Sequence, residues 1–178
     1  MKILVTYISK TGFTKEYAEI VAKNVGCDLV EFREMTAAKM SEYDVVVFGS
    51  RAHAGMVDGL KKAREMFGAS GAKKLVLFCT GAAPCAAEDV VDDFWNNNLT
   101  GDEQDKLPHF YMQSGLRYEK MGFIDRTMMK AVSFIMSKQD DSEKTDYEKG
   151  FEQAISKSYD ISDPKYAQPL IDCLKAMK

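Results

Sequence analysis

The residues best placed to do chemistry lie near the start of the chain. Ser9-Lys10-Thr11-Gly12-Phe13-Thr14 follows an apolar, β-rich run, Lys2 to Ile8, and leads directly into residues at helical spacing. Ser9, Thr11 and Thr14 bring hydroxyls and Lys10 an ammonium. Gly12 permits a tight turn, and a helix starting here would aim its free N–H groups at the same point. Such a set of donors is an anion cradle. It is neither GxxxxGK[ST] nor GxGxxG, so it matches neither the nucleotide-triphosphate loop nor the dinucleotide fingerprint. Glu31 stands where a dinucleotide site would place its ribose acid, but without the glycines it reads as an ordinary strand-end acid. A capped strand-to-helix turn is the bland alternative for the whole loop.

Two further segments are depleted of bulk. Ser50-Arg51-Ala52-His53-Ala54-Gly55 suits something packed flat against it, with His53 able to stack or donate; solvation of a loop histidine is the alternative. Thr80-Gly81-Ala82-Ala83-Pro84 is similar, and Cys85 follows it. Cys85 reads as a small residue at a helix start, where its thiol would be expected to acidify. Together the three segments supply a polar, small-residue rim.

The elements that must position these loops alternate along the chain. Strands are predicted at Lys2–Ile8, Asp28–Phe32, Tyr43–Ser50, Lys74–Gly81 and around Phe110–Met112, ending near Gly115-Leu116. Near-continuous apolar runs mark strands covered on both faces. Helices are predicted through Tyr17, Ile20, Val21 and Val25, then at Leu60–Phe67, Ala87–Trp95, Met121–Ser137, Tyr147–Ser158 and Tyr166–Met177, with a loop from Trp95 to Pro108. This alternation predicts one α/β domain over 1–178. Its core is a doubly wound five-stranded parallel sheet in the order 2-1-3-4-5, helices on both faces. Ligands in open α/β sheets bind beyond the carboxyl ends of the strands. In that order the three rim segments meet around one crevice.

Bulk properties exclude other classes. A net charge of −3 with no sustained basic run disfavours nucleic-acid binding. The four cysteines, Cys27, Cys79, Cys85 and Cys173, form no CxxC, and the two histidines are far apart, so neither a disulfide framework nor a metal site is expected. A reducing, cytoplasmic setting is the expectation, with no signal peptide and no membrane span. A response-regulator domain shares the sheet order, but it needs a phosphoacceptor Asp where Ser50 and Arg51 stand.

Ser9 to Thr14 resembles the phosphate loop of flavodoxins, [TS]-x-T-G-x-T, and the segments 50–55 and 80–84 fall where flavodoxins enclose the isoalloxazine ring. Gly115-Leu116-Arg117-Tyr118 with Phe123-Ile124-Asp125-Arg126 is similar to the menaquinone-dependent protoporphyrinogen oxidase branch of that superfamily, which carries an extra segment after the fifth strand. The resemblance implies FMN, a flavodoxin-like fold and an oxidoreductase or electron-transfer role, with a redox partner or small-molecule acceptor such as a quinone. It places the cofactor on Ser9 to Thr14, Ser50 to Gly55 and Thr80 to Pro84. The chain departs from flavodoxins in offering no Trp or Tyr from the second and third segments, only His53. A flavodoxin fold kept solely as a binding module is the non-enzymatic alternative.

Two expectations are specific to this chain. The ring-facing segments hold Arg51 and His53 but no acid, the nearest in sequence being Asp58, Glu88 and Asp89, so the ring's surround is expected to be positive or neutral. The segment 119–146 is an insert whose helix presents Met121, Ile124, Met128, Ala131, Val132 and Ile135 as a core-facing stripe. Phe123 and Phe134 then fall on another flank, covered by 138–146 or serving as a lid, a homodimer contact or a peripheral membrane contact.

Overall fold

The computed structural model describes residues 1–140, 142, 144, 149, 150, 152, 155 and 157–178. β1 (Ile3–Tyr7), β2 (Asp28–Glu31), β3 (Val45–His53), β5 (Lys74–Gly81) and β6 (His109–Gln113) form the parallel sheet, in the order β2-β1-β3-β5-β6. With the short antiparallel β4 (Met56–Val57) set aside, this is the predicted 2-1-3-4-5 order.

Alternation along the strands fills two cores. Ile3, Val5, Tyr7, Val45, Val47, Val76 and Phe78 face α1 (Phe13–Val25) and α7 (Gln168–Ala176), meeting Tyr17, Ala18, Val21, Leu170, Ile171 and Leu174. Leu4, Val46, Phe48, Leu75, Leu77 and Cys79 face the other layer. There they meet Met40 of α2 (Ala37–Met40), Leu60 and Ala63 of α3 (Leu60–Ser70), and Phe94 and Trp95 of α4 (Glu88–Asn98). Burial on this scale, about 1.5–3 kcal/mol for each large side chain, drives the fold. Tyr17 also ties layers together. Its hydroxyl donates to the Gln113 carbonyl at 2.7 Å and accepts from the Asp163 amide at 3.1 Å. Burial pushes its pKa up to about 12.

Several boundaries differ from expectation. The segment 50–55 is not a loop. β3 runs on to His53, turns through Ala54 and Gly55, and pairs antiparallel with β4, Ala52 opposite Val57 and His53 opposite Met56. Both turn residues have positive φ, 49° and 77°, as a two-residue type I′ hairpin requires. The predicted loop from Trp95 to Pro108 contains the end of α4 and a further helix, α5 (Gly101–Lys106), opened by a capping box between Thr100 and Glu103. The C-terminal helix begins two residues later than predicted, after a 3-10 turn at Pro164–Ala167.

The insert is bounded by a two-stranded antiparallel ribbon. β7 (Gly115–Leu116) pairs with β8 (Tyr159–Asp160), so the chain leaves and re-enters the domain at one place before α7 completes it. Half of the predicted helix Tyr147–Ser158 lies outside the described residues. α6 (Phe123–Met136) forms as expected, with its covered face rotated from the one predicted. The stripe assigned to the core is only partly covered: Met121, Met128 and Val132 are half-buried, whereas Ile124 is 79% and Ile135 61% exposed, beside Phe123 at 83% and Phe134 at 64%. Only Met136 of α6 is buried. Asp125, about 100° around the helix from Ile124, is drawn inward by two side chains of the β3–β4 hairpin. Among the described residues no helix is long and apolar enough to cross a membrane.

Asn98, at the end of α4, fixes that hairpin. Its buried amide accepts from the Val57 N–H at 2.7 Å and donates to the Gly55 carbonyl at 2.9 Å and the Phe94 carbonyl at 2.7 Å. Asn98→Ala leaves these backbone groups unpaired and is expected to lower unfolding free energy by about 1–3 kcal/mol. Amide exchange over residues 54–58 should quicken in parallel. A variant as stable as the parent, with unchanged exchange there, would show that the hairpin does not depend on this side chain.

Candidate functional site

β1 ends against α1 through a turn only a few residues long. Gly12 makes it, at φ +104°, and α1 starts at Phe13. The first N–H groups of a helix have no partner within it. Here the Lys15 N–H is taken by the Ser9 hydroxyl at 3.3 Å, which leaves those of Phe13 and Thr14 directed out of the helix start.

A cavity of about 80 Å³ opens at this helix end. Lys10, Thr11, Phe13 and Thr14 line it from the first loop, Arg51 and Ala52 from the end of β3, and Thr80, Gly81 and Ala82 from the end of β5. The structure thus brings residues of all three sequence-predicted segments to one place. Ser114, Gly115, Leu116 and Met121, which sequence reasoning did not include, complete the wall. The rest of the predicted set stands outside that lining. The Ser50 hydroxyl is buried and donates to the Asp58 carbonyl at 2.6 Å. Ala54 and Gly55 form the exposed hairpin tip, and His53 stands beside it. Ala83 exchanges hydrogen bonds with the Tyr111 hydroxyl, both at 3.1 Å, while the Pro84 carbonyl accepts from the Ala87 N–H at 3.0 Å. Burial raises the Cys85 thiol pKa, opposite to the acidification expected at a helix start, because α4 begins only at Glu88.

The hydroxyls divide by task. Thr14 and Thr80 are both buried, and their hydroxyls meet at 2.8 Å. This pair clamps the start of α1 to the end of β5. Thr11 and Lys10 remain on the cavity wall, with Lys10 exposed.

Charge reaches the site from the insert in two places. Arg117, directly after β7, lies over the Phe13 ring, 3.7 Å from its centroid. It donates to both oxygens of Glu16, at 2.6 and 3.0 Å, to Asp160 at 3.0 Å and to the Thr11 carbonyl at 3.3 Å. These contacts, Glu16 foremost, hold the guanidinium firmly protonated. At the other end, Asp125 of α6 accepts from Arg51 at 2.7 Å, and its second oxygen lies 3.2 Å from His53 Nε2. Arg51 also donates to Asp58 at 3.2 Å. The expected surround of Arg51 and His53 with no close acid is therefore corrected: two carboxylates flank the arginine. Asp58 was in view in the sequence; Asp125 was not, because it lies 74 residues from Arg51. The Arg51 hydrogen bond, ahead of opposing burial, holds the Asp125 carboxyl below the usual range.

The chain matches a flavodoxin domain family over residues 4–146. No curated protein sequence matches it. Among solved structures it is similar to a flavodoxin from the domain Archaea, at 17% identity over 64% of this chain and 85% of that one, with a TM-score of 0.40. It is similar to a WrbA-like flavodoxin from Agrobacterium tumefaciens at 14% identity, over 99% of each chain and a TM-score of 0.43. It is also similar to a flavoprotein in complex with FMN from Lactobacillus acidophilus, at 17% identity over 63% of this chain and 91% of that one, with a TM-score of 0.42.

The lowered Asp125 pKa carries a pH signature. A carboxylate whose folded pKa lies below its unfolded value stabilises the fold above about pH 4, and that contribution is lost as pH falls through the folded value. Asp125→Asn should cost about 1–2 kcal/mol at neutral pH. The gap between the two proteins should close in acid. A gap that persists undiminished at pH 2.5 would show that Asp125 does not act through its charge.

Proposed function

The chain belongs to the flavodoxin domain family, and from that membership we propose that it binds FMN non-covalently and serves as an oxidoreductase or electron-transfer protein. The observation that carries this reading is the cavity at the start of α1, where the first loop meets the ends of β3 and β5. Its donors fit a phosphate monoester: the Thr11 hydroxyl, the Lys10 ammonium and outward N–H groups at a helix N-terminus. The small residues Ala52, Gly81 and Ala82 fit a planar ring laid against backbone. When bound, FMN supplies one- or two-electron transfer.

The chain's own residues bind and orient. Thr11 and Lys10 would hold the phosphate. Thr14, its hydroxyl engaged by Thr80, would position the helix start rather than touch the cofactor. Arg51 would stand beside the ring side of the cavity, its charge offset by Asp58 and Asp125. With two carboxylates against one guanidinium, these groups leave the ring's electrostatic surround slightly negative.

A finer reading is a protoporphyrinogen oxidase-like enzyme that passes electrons to a quinone. It is supported by the insert between β7 and β8, whose Met121, together with Leu116 of β7, lines the same cavity. The non-catalytic alternative keeps the fold as a binding module, and colour separates the two. A purified chain that is colourless and takes up no added FMN would sink the FMN reading. Thr11→Ala is expected to weaken FMN binding about tenfold, the loss of one hydrogen bond to a charged group. Riboflavin, which lacks the phosphate, should bind nearly as before. Equal losses for both flavins would mean that Thr11 does not meet the phosphate.

A further inference from the structure

We propose that Arg117 forms the outer wall of the cofactor's phosphate site and that Glu16 competes with the phosphate for its guanidinium fork. This rests on the FMN reading and extends it to residues outside the phosphate loop.

The geometry converges on Gly12. A Cβ built there would lie 2.9 Å from Arg117 Nη1, 3.4 Å from Glu16 Oε1 and 3.8 Å from Lys120 Nζ. A guanidinium, an ammonium and a carboxylate therefore crowd one point above the tightest residue of the loop. Both cations come from the chain just after β7. Arg117 is fixed in place. It stacks on Phe13, donates to the Thr11 carbonyl and binds Asp160. Asp160 is itself anchored, its other oxygen accepting from the Ser162 N–H at 2.9 Å and the Ser162 hydroxyl at 2.5 Å. Glu16 is different. It is exposed, and its carboxylate can rotate into solvent without breaking another contact of its own. The carboxylate lies bidentate in the fork, at 2.6 and 3.0 Å. A guanidinium fork matches phosphate and carboxylate alike, and phosphate carries more charge. The fork thus holds an anion beside Gly12, against Thr11 and Phe13 of the cavity wall, and the anion now in it is the replaceable one.

The proposal predicts opposite signs for two variants. FMN and riboflavin affinities are measured by quenching of flavin fluorescence, with thermal melting of each variant as a control. Arg117→Ala should weaken FMN binding about tenfold or more and leave riboflavin little changed. Arg117→Lys, which keeps charge but not the fork, should restore only part of the loss. Glu16→Gln should tighten FMN binding about twofold to fivefold, the range of a half-exposed ion pair, and this gain should vanish in the double variant with Arg117→Ala. A purely structural Arg117–Glu16 pair would give the reverse, with Glu16→Gln weakening FMN or leaving it unchanged; that result overturns the proposal. Equal losses of FMN and riboflavin in Arg117→Ala also overturn it, while the FMN reading stands. A parent chain that binds neither flavin overturns both.

Discussion

Parallel pairing delivers the carboxyl ends of β1, β3 and β5 to one edge, and every contact at the site depends on their shared level. Tyr7 lies opposite Gly49, Gly49 opposite Phe78, and Arg51 opposite Thr80. Two residues past Tyr7, the first loop therefore begins beside Arg51 and Thr80. The buried Thr14–Thr80 hydroxyl pair then closes the level laterally. One hydroxyl donates to the other, whereas either alone in that position would lose this buried partner. Register and one hydrogen bond together hold the start of α1 over the cavity.

The insert builds on this frame with charges of opposite sign. Near its base, Arg117 adds a cation to the first loop; from α6, Asp125 adds an anion to the β3–β4 hairpin. Both are half-buried pairs, where attraction exceeds its value in bulk water. Each arginine is flanked by two carboxylates, Arg117 by Glu16 and Asp160 and Arg51 by Asp58 and Asp125. These contacts also explain the orientation of α6. Turning its Ile and Phe side chains inward would bury apolar surface worth about 1.5–3 kcal/mol for each. That rotation would carry Asp125 away from Arg51 and His53 and strand a half-buried arginine beside Asp58 alone. The helix keeps the charge contact and leaves Phe123, Ile124, Phe134 and Ile135 outward.

What was legible in the sequence was what local patterns encode. Near-continuous apolar runs with small or polar strand ends give the strands, their order and the cavity's three main walls. Thr100-Gly101-Asp102-Glu103 carried a readable helix start, but a charged stretch between Trp95 and Pro108 masked it as loop. The β3–β4 hairpin was hidden for a different reason. Ala54-Gly55 lacks the Asn or Asp that usually announces a type I′ turn, and the stabilising partner, Asn98, lies 41 residues beyond Val57. Asp125 and Arg117 were present in the quoted motifs, yet their partners are chosen by tertiary approach. Helical periodicity showed that α6 has an apolar face without showing which way it points. A distant ion pair made that choice.

Gly12 joins the local and the long-range halves of this account. At φ +104° a side chain would be strained, so the turn into α1 already favours glycine. A Cβ would also press on Arg117 Nη1, in a contact too close for the guanidinium to remain where it is. Any larger residue would therefore disturb two things at once: the direction of the first N–H groups of α1, and the stacking of Arg117 on Phe13. The Thr11 carbonyl and Arg117 are 106 residues apart in sequence but meet at this turn. The absence of one side chain sets both the backbone that would face an anion and the approach of the cation that would assist it. For this reason the first loop and the base of the insert form one structural unit, although the sequence presents them as separate motifs.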